Sequence, residues 1–118
     1  MAHRIDPVAG RAAVDEWTRA SGAPIARPVL ATAVRFTLQQ LEARAPGGSV
    51  EVRVPPFGAV QCIAGTSHRR GTPPAVIETD AATWLALATG SLAWADAVGS
   101  GRVQASGERA DLTGHLPL

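Results

Sequence analysis

The stretch from Thr79 to Leu118, TDAATWLALATGSLAWADAVGSGRVQASGERADLTGHLPL, constrains this chain most. Glycines cut it into short units of different period. Thr79 or Asp80 can cap a helix, because a short oxygen-bearing side chain accepts from the first free backbone N–H groups. Trp84, Leu85, Leu87 and Ala88 follow. Gly90 falls where a helix ends in a left-handed turn. A second, shorter helix fits Leu92 to Val98, with Gly99 and Gly101 around its exit. Arg102 to Ser106 then alternates, Val103 and Ala105 on one side and Arg102, Gln104 and Ser106 on the other, as a half-buried strand does. Gly107 breaks the strand, and a last short helix is predicted over Glu108 to Leu112. Trp84 and Trp94 give the unit two large apolar anchors.

The rest of the chain supplies what this unit packs against. Pro7 to Ala20 reads as a helix capped by Asp6, with Pro7 suited to its first position. Ala13, Trp17 and Ala20 share a face, and Arg11 and Asp15 are spaced for a surface pair. Pro28 to Ala45 is the strongest helical pattern. Leu30, Val34, Leu38 and Leu41 form its buried stripe, widened by Ala33 and Phe36, with Arg35, Gln39 and Glu42 opposite. Ser49 to Val54 alternates, Val50, Val52 and Val54 against Glu51 and Arg53. Pro55-Pro56-Phe57-Gly58 is a turn. Ala59 to Ala64 is a returning strand with Val60 and Cys62 on one face. A polar loop runs from Gly65 to Pro74, and Ala75 to Thr79 is a third strand. The order of elements suits an α+β layer fold: a mainly antiparallel sheet of four or five strands with helices packed on one face.

The 118 residues are read as one domain, divided into N-terminal helices (1–48), strands (49–79) and a helix–helix–strand–helix unit (80–118). A chain of this size buries roughly two-thirds of its unfolded surface, enough for one core. Net charge is +1, which argues against a nucleic-acid partner. All eleven basic residues are Arg. The N-terminus MAHRIDPVAG lacks the apolar run of a signal peptide. No stretch approaches the roughly 18 apolar residues of a membrane span. A cytoplasmic location is the expectation, and the oligomeric state is left open.

Two segments, SVEVRVPPFGAVQCI (Ser49 to Ile63) and TWLALATG (Thr83 to Gly90), resemble the sterol carrier protein family, in particular the small bacterial sterol-carrier-like proteins of actinobacterial type. SGRVQASG and a Leu-rich end match as well. The resemblance covers most of the chain from about Pro28 onward. It implies a non-enzymatic module that binds or carries a lipid, fatty-acyl or sterol-like molecule in a tunnel between sheet and helices. Pattern and resemblance together nominate Val52, Val54, Phe57, Val60, Trp84, Leu87, Leu92, Trp94, Val98 and Val103 as its lining. The chain ends in His-Leu-Pro-Leu, without a peroxisomal address, so eukaryotic sterol traffic is not implied. A polar loop after Ala64 stands where longer relatives look like further strand. The rival is an interaction or accessory domain with a filled core, since sterol-carrier-like folds also occur fused to actinobacterial thiol-dependent isomerases and hydrolases.

Candidate chemistry is sparse. Cys62 is alone, so no internal disulfide forms. A reactive thiol needs a cationic neighbour or a helix N-terminus, and its sequence neighbours supply neither. A small buried strand residue is the simpler reading. His3, His68 and His115 are scattered, with no HxH, HxxxH or CxxC spacing for a metal, and no cofactor is implied. Ser67 and His68 adjoin, but no G-x-S-x-G elbow accompanies them. Gly99-Ser100-Gly101 lacks the length and following Lys of a phosphate loop. His68-Arg69-Arg70 is either a solvated loop tip or a grip for an anionic head group at a tunnel mouth. Trp84 and Trp94 either border a cavity or fill a core.

Overall fold

Two aspartates start two of the helices. In the computed structural model, which describes residues 3–65 and 75–118, Asp6 accepts from the Ala9 N–H at 3.1 Å and opens α1, Pro7–Ala20. Asp80 accepts from the Thr83 N–H at 2.8 Å and opens α3, Ala81–Thr89, which ends at Gly90 with φ 88°. Between them lies α2, Arg27–Arg44. Its buried side holds Ala33, Val34, Phe36, Thr37, Leu38 and Leu41, while Leu30 is only half-buried. α1 packs on α2 at Gly10, where a Cβ would collide with the Phe36 ring. A glycine here is what permits the close crossing. Arg11 and Asp15 form no ion pair; among the described residues the ion pair is Arg53 with Glu51.

The strands are β1 (Val50–Val54), β2 (Gly58–Cys62), β3 (Ala75–Thr79) and β4 (Val103–Ser106), in the order β2-β1-β3-β4. The fold is α+β, but the sheet is mixed. β1–β2 and β3–β4 are antiparallel and β1–β3 is parallel. The reason lies in the register. β2 leaves the sheet at Cys62, beside Val50, and β3 enters at Ala75, also beside Val50. A chain that re-enters at the end where β1 begins must run in the direction of β1.

Val50, Val52 and Val54 are fully buried, and their partners Cys62, Ala75 and Ile77 join them on the same face. Glu51 and Arg53 occupy the opposite, open face, as the alternation predicts. α2 lies over β2, and α3 packs on α2. The Trp84 indole N–H donates to the Thr37 hydroxyl at 2.8 Å, and that hydroxyl donates in turn to the Ala33 carbonyl at 2.8 Å. A polar pair is thereby satisfied inside the apolar cluster.

Three expectations are corrected. β2 stops at Cys62, not Ala64, because Ile63 turns left-handed at φ 66°. That conformation is unfavourable for a β-branched residue. It is held by the Ile63 N–H donating to Ala45 and by the Ser49 N–H and hydroxyl donating to the Ile63 carbonyl. The short helix α4 spans Trp94–Gly99, starting after Leu92. Glu108 to Leu112 is not helical. Five residues are too few to nucleate a helix without support, and Asp111 instead accepts from the Thr113 N–H at 2.9 Å in a local turn. Leu112, drawn fully into the core, anchors the C-terminal segment, and the Leu118 N–H donates to the Ala88 carbonyl at 3.0 Å.

Candidate functional site

The helical period of α2 sets Arg35, Gln39 and Glu42 opposite its buried stripe. In the fold this row stands beside the free edge of the sheet, because β2 is an edge strand. Between them opens a groove of about 760 Å³. Leu38, Phe57 and Val60 supply its apolar surface, and Gly58 and Ala59 bring β2 backbone to it. Arg35, Gln39 and Glu42 form its rim on α2, and His3 and Arg4 form a further wall.

The β2 backbone is informative. Pro55 has no N–H, so the Val54↔Gly58 pair that closes the antiparallel ladder exchanges its bonds directly, and the paired groups of β2 belong to alternate residues, Gly58, Val60 and Cys62. Ala59 and Gln61 therefore turn their N–H and C=O groups to the free edge of the sheet. The groove thus combines an apolar surface with a few polar groups at its margin. Concave sites for small apolar molecules are built this way.

Two contacts fix the Phe57 corner. The Arg35 Nε donates to the Phe57 carbonyl at 2.8 Å, and the Arg27 guanidinium sits 5.1 Å from the Phe57 ring centroid. On the other wall, Gln39 holds the chain before α1 by both ends of its carboxamide. Nε2 donates to the His3 carbonyl at 2.7 Å, and Oε1 accepts from the Ile5 N–H at 2.8 Å.

Of the nominated lining residues, Phe57 and Val60 lie in this groove. Val52, Val54, Trp84 and Leu87 are fully buried in the core, and Val103 is nearly so. Leu92 and Trp94 pack half-buried against that core, and Val98 is 43 % exposed. The structure therefore separates the ten residues into a groove pair, a packed interior and a margin. His3, Arg4, Arg35, Leu38, Gln39 and Glu42 escaped the sequence reading as site residues. The available signal was the Pro55-Pro56 turn, which carries Phe57 toward α2. The Ser67-His68 pair and the His68-Arg69-Arg70 cluster lie outside the described residues.

Burial pushes the Cys62 thiol up to about 11, with the Glu42 carboxylate adding to the effect. A thiol so displaced stays protonated near neutral pH and is a poor nucleophile. Asp111, by contrast, is held below the ordinary carboxylate range, first by the Thr113 hydroxyl and then by the Thr113 backbone N–H. Among the described residues, no three His, Cys, Asp or Glu side chains gather as metal ligands.

A family model of bacterial SCP orthologs matches residues 26–118, and the chain belongs to that bacterial sterol-carrier-like family. No curated protein matches it. The match begins at the foot of α2, so α1 and the residues before it lie outside the matched segment. No helix among the described residues is long and apolar enough to cross a membrane.

Proposed function

We propose that this protein binds or carries an apolar small molecule without transforming it, and that the groove between α2 and β2 is where the molecule sits. The observation that carries this reading is the groove itself: about 760 Å³, with Leu38, Phe57 and Val60 inside and charged side chains at its rim. The family supports a lipid or similar molecule as the guest. The buried, protonated Cys62 adds no nucleophile to the site. Titration with an environment-sensitive fatty-acyl probe and a sterol probe tests it. The expected outcome is a saturable signal with a negative heat-capacity change, since apolar surface leaves water. Val60→Asp should remove the signal while the circular dichroism of the fold persists. No saturable binding of either probe overturns the reading.

The second reading, an accessory domain with no lipid guest, is favoured by the closed packing around Trp84 and Leu87. It predicts no saturable binding with either probe.

A further inference from the structure

Resting on the groove reading above, we infer that the chain segment before α1 forms a head-group subsite for an anionic group on the apolar guest, with Gln39 as its positioning residue. Gln39 lies on the groove side of α2 between Arg35 and Glu42. Its carboxamide takes the His3 carbonyl and the Ile5 N–H together, at 2.7 and 2.8 Å, as a neighbouring strand would. Those two bonds bracket Arg4 and hold it at the groove. On the α2 side, Arg35 is oriented through its Nε bond to the Phe57 carbonyl, at 2.8 Å, and its terminal nitrogens take no part in that bond.

Two guanidinium groups therefore border one apolar pocket, against one lining carboxylate, Glu42. Counting Arg4, Arg35 and Glu42 leaves one positive charge in excess, complementary to a single negative head. Guanidinium presents paired N–H donors that match a carboxylate or phosphate. Because the family match starts at residue 26, this wall is an addition to the matched segment, and it distinguishes the site from one built by α2 and β2 alone.

The full chain is titrated calorimetrically with dodecanoate and with dodecanol, which share an apolar tail and differ in head charge. An uncharged pocket favours the alcohol. The subsite predicts that the wild type prefers dodecanoate by about tenfold, a charge-assisted hydrogen-bond effect. Added salt should shrink that preference, because screening acts on exposed charge. Arg4→Ala and Gln39→Ala should both bring the preference down toward one, and Glu42→Gln should increase it. Hydrogen exchange at the Ile5 N–H should quicken in Gln39→Ala; unchanged protection there overturns the positioning role. Saturable dodecanol binding with no carboxylate preference, or a preference that survives both Arg4→Ala and Gln39→Ala, overturns the subsite alone. Binding of neither compound overturns the groove reading and the subsite together.

Discussion

The interior around Trp84 and the groove around Phe57 use the same kinds of residue for opposite ends. Trp84 and Leu87, on α3, are sealed in the core, and the indole's one donor is taken up by Thr37 of α2. Phe57 and Val60 are equally apolar, but they sit at the sheet edge beneath the charged row of α2 and remain half-exposed. An apolar side chain on a central strand such as β1 is flanked by a neighbouring strand on each side. At an edge strand one side stays open unless another element covers it. The contrast teaches that apolar content alone does not decide whether a residue is sealed or faces a groove; position relative to the sheet edge does.

The sharpest way to break this contrast is to truncate each region in turn. Trp84→Ala removes the largest fully buried side chain and should lower unfolding free energy by about 3–5 kcal/mol, read by urea denaturation. A loss near that of a surface substitution would mean the interior is not packed as described. Next in size is an alkaline effect at Cys62, which lies on the core face of β2. Its folded pKa is raised from 9.0 to about 11. Below pH 9 both folded and unfolded chains keep the thiol proton. Between about 9 and 11 the unfolded chain ionises first, so stability falls as pH rises, by about 2–3 kcal/mol. Cys62→Ala should flatten that part of the stability curve, and an unchanged slope would refute the assignment.

Thr37→Val keeps the volume but leaves the Trp84 N–H without its partner. The expected loss is about 1–3 kcal/mol, with a shift in tryptophan fluorescence. At the groove, Phe57→Ala should cost less than about 1.5 kcal/mol of stability, because the ring is only partly covered. It should nonetheless weaken acyl-probe binding strongly. Equal losses of stability and binding at Phe57 would erase the distinction between the two regions.

Much of the fold is legible locally. Asp6 and Asp80 cap where they should, Gly90 ends α3, and the Val50-Val52-Val54 alternation chooses its buried face. Each rests on neighbours a few residues apart, where backbone hydrogen bonding and side-chain period are set by the chain itself. The last predicted helix failed for the converse reason. Glu108 to Leu112 has a helix-compatible composition, but it is too short to form one alone, and burial of Leu112 decided its path.

The groove was not legible. Gln39 reads as an ordinary solvent-side residue of α2, and nothing near it in sequence says that its carboxamide will hold the backbone of residues 3 and 5. Val60 and Val52 look alike as alternating strand valines, yet one lines the groove and the other is sealed. That difference depends on β2 being at the sheet edge, which follows from β3 pairing with β1 on its other side. The sequence by itself determined the elements, the caps and the apolar faces, because those depend on short-range periodicity. Only the tertiary structure decided which strand would be left at the edge and which polar row would stand beside it, because strand order is set by pairing between residues far apart in the chain.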